Sequence, residues 1–227
     1  MNTSADFVPG HAEPGGPSIA WDLGVVQIRK ASVSEQDNNA YLLTETSSGA
    51  HLLIDAADDA HRLCALLAEP GPAGEVAAIV TTHQHWDHHR ALPALVEHTG
   101  APALAGADDA AALPVPVHRH LQHGDHVRLG TQHLDVIGLR GHTPGSVALA
   151  WTDTSSGVVH LFTGDSLFPG GVGRTTSEED FDSLLTDVQT RIFDVYGDDA
   201  VVHPGHGDNT TLGAERPQLD HWRERRW

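Results

Sequence analysis

The chain has 227 residues, 39% of them hydrophobic, and 31 acidic against 13 basic side chains give a formal charge of −18. That length suits one large domain or two small ones and is enough to bury a substantial core. So negative a surface repels phosphate backbones and argues against nucleic acid as a partner unless a metal intervenes, and no apolar run approaches the roughly 20 residues that span a bilayer.

Residues 1–18, MNTSADFVPGHAEPGGPS, lack the basic start and apolar middle of a secretory signal, and their Gly, Pro and Ser content predicts a flexible lead-in. Residues 19–227 are then expected to form a single domain. Short β-branched runs bounded by turn residues predict strands at VVQIRK (25–30), AYLLT (40–44), HLLIDA (51–56), VAAIVTT (76–82), HLDVIGL (133–139), VALAWT (147–152), VVHLFTG (158–164) and AVVHP (200–204). Helical patterns occupy 58–69, 88–99 and 180–196, and TTSEEDF before the last supplies an N-terminal cap. The alternation predicts a layered α/β architecture with sheets inside and helices outside. ADDAAA (107–112) reads as a short exposed helix, PGGVGRTT (169–176) as a flexible wall in which Arg174 is at most a substrate contact, and ERPQLDHWRERRW (215–227) as a capping helix with a solvated face. The single cysteine, Cys64, excludes an internal disulfide framework, fits a reducing cytoplasm and reads as a buried structural thiol.

Histidine is the anomaly, with 18 copies. His11, His61, His98, His118, His120, His133 and His221 stand in no ligand-like spacing and read as surface or local packing residues. The informative ones stand at strand ends beside carboxylates. THQHWDH places His83 and His85 two apart just past a strand, with Asp87 and His88 following as the chain turns into a helix. GHTPGS brings His142, FTGDSLF brings Asp165 and HPGHGD brings His206, each from a strand end with glycine beside it. His203 ends its strand and is not counted with them. Histidine with carboxylate is a borderline-soft N/O set suited to zinc, iron or manganese.

These four motifs, in this order, resemble the metallo-β-lactamase-fold hydrolases. The likeness runs from residue 81 to 208, and DNNAYLL (37–43) extends it towards the N-terminus. GDSLFPGGVGRT and HPGHGDNTTLGAERP are most similar to the short bacterial members of the glyoxalase II-like group. The resemblance implies a four-layered αβ/βα sandwich with the site at the edge between two sheets. It also implies two divalent metal ions, zinc first with iron or manganese as alternatives. His83, His85 and His142 would hold one ion, Asp87, His88 and His206 the other, and Asp165 would bridge them. Two ions about 3.5 Å apart sharing a carboxylate can share a water and lower its pKa towards neutrality, and the hydroxide then attacks a carbonyl. Asp87 would act as the catalytic side chain, orienting that hydroxide. No GxSxG elbow competes with this reading.

The activity this implies is hydrolysis of a small-molecule thioester to a thiol and a carboxylic acid, by a cytoplasmic monomer or homodimer. Larger glyoxalase II enzymes carry a C-terminal helical region with basic residues that grip glutathione, and this chain stops about where that region would begin. The thiol carrier is therefore open among glutathione, another low-molecular-weight thiol and coenzyme A. Two alternatives stand beside it. Persulfide dioxygenases are similar in pattern and hold one iron by two His and one Asp, here His83, His142 and Asp165. Lactone or ester hydrolysis would use the same hydroxide. A true zinc β-lactamase commonly has a cysteine at or near the bridging position, where this chain has Asp165. A non-catalytic binding protein is disfavoured, since none of the seven ligand positions is missing.

Overall fold

Alternating apolar side chains split each central strand between two hydrophobic layers, and the architecture follows from that split. In the computed structural model, which describes residues 10–71 and 74–226, one seven-stranded sheet runs in sequence order. Its strands are β1 (Ile19–Asp22), β2 (Val26–Ser32), β3 (Asn39–Glu45), β4 (His51–Ile54), β5 (Val76–Thr81), β6 (Ala103–Gly106) and β7 (Arg119–Leu121). The first four are antiparallel and β4 to β7 are parallel. A six-stranded sheet comprises β8 (His126–Leu129), β9 (Gln132–Gly138), β10 (Val147–Thr152), β11 (Val159–Gly164), β14 (Val201–Pro204) and β15 (Thr210–Thr211), in the order β15-β14-β11-β10-β9-β8. The short β12 (Leu167–Phe168) and β13 (Gly171–Val172) pair with each other.

Tyr41, Leu43, Leu52, Ile54 and Val80 of the first sheet meet Leu134, Val136, Leu149, Trp151 and Phe162 of the second, forming the core between the sheets. Their neighbours Leu42, Leu53 and Ile79 point the other way, onto Leu63, Leu66, Leu92 and Leu95 of helices α1 (Ala60–Ala68) and α2 (Leu92–Thr99). On the far side Ile137, Ala148 and Leu161 pack against Phe181, Leu184 and Trp222 of α3 (Glu178–Val188) and α5 (Leu219–Arg225). The result is helix, sheet, sheet, helix: the four-layered sandwich.

All eight expected strands are present. The additional ones, such as β6 with its sequence ALAG, are two to four residues long with weak β signals or none. The helical pattern of 88–99 divides. A 3₁₀ turn at Trp86–His88 comes first, and α2 begins at Leu92, with Pro93 in the first turn where its missing N–H costs nothing. Ser177 caps α3 by accepting from Asp180 N at 3.1 Å, as TTSEEDF predicts, and one π turn, Gln189–Phe193, prolongs the helix. The exposed helix expected at 107–112 is corrected: only Ala110–Ala112 forms a 3₁₀ turn, and Asp109 before it is fully buried. Cys64 is half-buried, packed against the layer under α1. The C-terminal segment, α4 (Leu212–Glu215) followed by α5, caps the second sheet with Trp222 buried and Arg226 paired outward to Glu178 and Asp182. Residues 1–9 of the expected lead-in lie outside the described residues. From Gly10 the chain lies along β2, with Gly10 O accepting from Lys30 Nζ at 2.6 Å and Gly15 N donating to Ser32 O at 3.0 Å.

Candidate metal centre

The seven residues singled out by spacing converge at one edge of the sandwich. β5 ends at Thr81 and delivers His83, His85, Asp87 and His88 within one loop and its 3₁₀ turn. The loop after β9 brings His142, the end of β11 brings Asp165 and the end of β14 brings His206. Donor atoms of His83, His85 and His142 lie within 4.8 Å of one another, as do those of His83, His88 and Asp165, and those of Asp87, His88 and His206. Asp165 sits among them. Its Oδ1 is 3.3 Å from His88 Nε2, and its Oδ2 is 3.5 Å from His206 Nε2 and 3.7 Å from His142 Nε2. Asp87 Oδ2 is 3.5 Å from His206 Nε2. His203, by contrast, is buried against Phe162, with ring centroids 4.7 Å apart, and belongs to none of these groups.

Three of the histidines are held by their other ring nitrogen. His142 Nδ1 donates to Arg174 O at 2.7 Å, His206 Nδ1 to Gln36 O at 2.8 Å, and His88 Nδ1 bonds the Asp55 carboxylate at 2.9 Å. Those bonds fix the tautomers and leave Nε2 facing inward as a lone-pair donor. Asn38 Nδ2 donates to Asp87 Oδ2 at 3.1 Å and to Asp87 O at 3.2 Å. Gly205 is required here, because a Cβ on it would stand 2.2 Å from Asp165 Oδ1 and 2.7 Å from His88 Cε1.

Two buried carboxylates hold the loops from behind. Asp55, at φ 58°, accepts from Thr82 N at 2.7 Å and Thr82 Oγ1 at 2.8 Å as well as bonding His88. Asp109 accepts from Gln84 N at 2.9 Å and Thr143 Oγ1 at 2.5 Å through Oδ2, and from Gly145 N at 2.7 Å through Oδ1. Gln84 lies between His83 and His85, and Thr143 follows His142, so one carboxylate joins both segments. The loop carrying His206 is tied by Lys30, fully buried, whose Nζ donates to Gly207 O at 2.5 Å and Asn209 Oδ1 at 3.1 Å. Asn39 Nδ2 adds bonds of 3.0 Å to Pro204 O and to Gly207 O. Asp55, Asp109, Asn38 and Lys30 were not among the residues singled out by spacing.

The electrostatics divide the cluster. Burial pushes His83 well below the ordinary imidazole value and lowers His142 too. Burial also works against a charged His88, but the bonds to Asp165 and Asp55 outweigh it and raise that group to about 10. His206 is raised in the same way by Asp165, against its own burial. Burial opposes ionisation of Asp165, yet its bonds with His206 and His88 hold it well below the usual carboxylate range.

This donor set fits divalent metal ions. His142 Nε2 is buried without a hydrogen-bond partner, Asp165 Oδ1 is buried with only the 3.3 Å contact to His88 Nε2, and His88 Nε2 faces His206 Nε2 at 3.2 Å. Converging acceptors cost free energy unless a cation lies among them. Zinc–nitrogen bonds of about 2.0–2.1 Å place tetrahedral ligands roughly 3.3–3.4 Å apart, inside the range of the separations here. Arg174, Thr175, Thr176, Phe181 and Arg226 line a cavity next to the His142 support.

The family profile described as Metallo-beta-lactamase superfamily matches residues 34–206. The Hydroxyacylglutathione hydrolase of Jannaschia sp. (strain CCS1) is 42% identical over 139 residues, which are 61% of this chain and 51% of that protein. The chain spans about half the length of that protein and of other curated relatives of the same name from Fuscovulum blasticum and Cereibacter sphaeroides. Among solved structures, TTHA1623 in a di-iron-bound form is similar at TM-score 0.65 and 33% identity, covering 82% of this chain and 96% of that one. ETHE1 from Myxococcus xanthus is similar at TM-score 0.70 and 26% identity, covering 87% of this chain and 89% of that one.

Proposed function

Because the chain belongs to the Metallo-beta-lactamase superfamily, we propose that it is a metal-dependent hydrolase that cleaves a thioester of a small thiol. The observation that carries this reading is the complete double donor set around Asp165. Likeness to relatives named hydroxyacylglutathione hydrolase supports the thioester. His83, His85 and His142 would hold one ion and Asp87, His88 and His206 the other, with Asp165 available to both; zinc would suit this N/O set, as would iron and manganese. Bound there, a pair of divalent ions supplies a water that ionises near neutral pH and a positive charge for the carbonyl oxygen.

The chain's own residues do the positioning. Asp87, oriented by Asn38 at 3.1 Å, aligns the attacking water by accepting its hydrogen bond. The Nδ1 bonds of His88, His142 and His206 hold the imidazoles without rotamer freedom. Arg174, exposed beside the cavity next to His142, offers a cation to the anionic part of the thiol carrier. Water adds across the C–S bond: the acyl carbon takes the hydroxyl and the sulfur takes the proton.

A second reading, a mono-iron persulfide dioxygenase, would use His83, His142 and Asp165, the latter two 3.7 Å apart. Lactone hydrolysis would use the same centre as the thioesterase. Elemental mass spectrometry on untagged protein purified without chelators, with a parallel thiol-release assay on S-2-hydroxyacylglutathione and acyl-coenzyme A, separates these. About two tightly held ions per chain and thiol release abolished in His206→Ala are the expected results. One ion, nearly all iron, with oxygen uptake on a thiol persulfide, would overturn the hydrolase.

A further inference from the structure

The second sheet ends on β8, and the outer face of this edge carries chemistry that the centre does not use. Val127 and Leu129 point into the core between the sheets with Leu134 and Val136, so His126, Arg128, His133 and Asp135 share the opposite face. His126 pairs directly with Asp135 across the ladder, and His133 lies two residues before Asp135 on β9. His126 Nδ1 is 2.8 Å from Asp135 Oδ1, and His133 Nε2 is 3.8 Å from the same oxygen. The two imidazoles meet edge to face with centroids 5.2 Å apart. All three donor atoms fall within 4.8 Å of one another.

We propose that His126, His133 and Asp135 form a surface site for one divalent transition-metal ion, separate from the paired centre. Two imidazoles and one carboxylate select borderline ions such as zinc, nickel or copper over magnesium or calcium. The two measured separations straddle the roughly 3.3–3.4 Å expected between tetrahedral ligands at zinc bond lengths, so small rotations of the side chains close the site. A hydrogen-bonded ladder sets the spacing in advance, which lowers the ordering cost of binding. The side chains are 60%, 65% and 49% exposed, which leaves the remaining coordination positions to water. A chain with formal charge −18 also concentrates cations at its surface. One feature opposes binding: Arg128 is the direct cross-strand partner of His133 on this face. Arg119 lies nearby, its Nη1 on His126 O at 2.8 Å and its Nη2 3.7 Å from Asp125.

The test compares zinc chloride titrations of metal-replete protein, by calorimetry, for the wild type and for His126→Ala, His133→Ala and Asp135→Asn. Whatever the paired centre holds is common to all four and cancels in the difference. The wild type is expected to take up one more zinc equivalent than each variant, with unchanged thermal midpoints, and Arg128→Ala is expected to tighten that equivalent. Because the side chains are exposed, these changes leave the packing intact; His126→Gln and His133→Gln provide a second, polar pair should an alanine variant aggregate. Equal uptake by the wild type and the His133 variants would overturn the site, and so would an extra equivalent that survives Asp135→Asn.

Discussion

The two halves of the centre are built from similar ligands but braced by different means. Around His83, His85 and His142 the support is mostly main chain: Asp109 receives Gln84 N and Gly145 N, and Arg174 O receives His142 Nδ1. Around Asp87, His88 and His206 the support is mostly side chain, from Asp55, Asn38 and Lys30. The pKa shifts differ accordingly. Burial lowers the pKa values of His83 and His142, whereas carboxylates raise those of His88 and His206 against their burial. A ligand loop can thus be fixed by tying its backbone to one buried acceptor, or by giving each ligand its own polar partner.

The largest effects expected are from removing one brace on each side. Asp109→Asn puts an amide where two backbone N–H groups and a hydroxyl now donate, which costs about 2–4 kcal/mol of stability and frees the loops on both sides of His83 and His142. Asp55→Asn weakens the orientation of His88 and is expected to lower metal affinity about 10–100-fold on its own side. A chelator titration of the loaded protein should show two stages, with Asp109→Asn weakening one and Asp55→Asn the other. If both variants weaken the same stage equally, the halves are one cooperative unit and the contrast drawn above is wrong.

The candidate ligands were legible in the sequence and their braces were not, for a physical reason. A ligand must be histidine or carboxylate at a strand end, so THQHWDH, GHTPGS, FTGDSLF and HPGHGD stand out against apolar strands. A brace needs only one acceptor in the right place in space. Asp109 sits in ADDAAA, where alternating strand or helix patterns give it no reason to be buried, and only the fold turns it towards Gln84 and Gly145. Asp55 closes the strand LLI in the same way that Asp165 closes its own, but no histidine stands beside it in the chain, and its positive φ belongs to the fold and not to the sequence. The central strands were legible because their alternation reports two buried faces. β6, ALAG, was missed because a strand buried on both faces and built of small residues has no alternation to show.

Lys30 tests the side-chain brace through pH. It is the only lysine in the sequence and it is fully buried, with its pKa lowered by burial to about 8. In the unfolded chain a lysine titrates near 10.4. Between those two values the unfolded state holds the extra proton, so the Lys30 contribution to stability rises with pH across that window, by up to about 3 kcal/mol. It is opposed by His88, whose raised value makes its own contribution fall with pH up to about 10; the difference between wild type and a Lys30 variant isolates the lysine. Below about 8 both states are protonated and the cost of burying the charge is fully present. Lys30→Met should abolish that rise, and at pH 7 it sets the cost of leaving Gly10 O and Gly207 O unpaired against relief of the buried charge. Denaturant melts at pH 7, 8, 9 and 10 measure both. A rise of the same size in Lys30→Met would mean that another group titrates there and that the His206 loop is held without the ammonium.

The smallest effect sharpens the boundary of the backbone-braced half. Ser177 caps α3, whose Asp180 O and Leu184 pack against Gly141 so closely that a Cβ there would stand 2.2 Å from Asp180 O. Gly141 precedes His142, so α3 forms the outer wall of that loop. Ser177→Ala removes one cap and should cost about 1 kcal/mol, a fall of roughly 2–4 °C in Tm for a chain of this length, with metal content unchanged. That outcome confines the brace of His142 to Asp109 and Arg174 O. Should the variant instead lose metal in proportion to its lost stability, the start of α3 belongs to the brace, and the contrast between the halves narrows to how far each support extends.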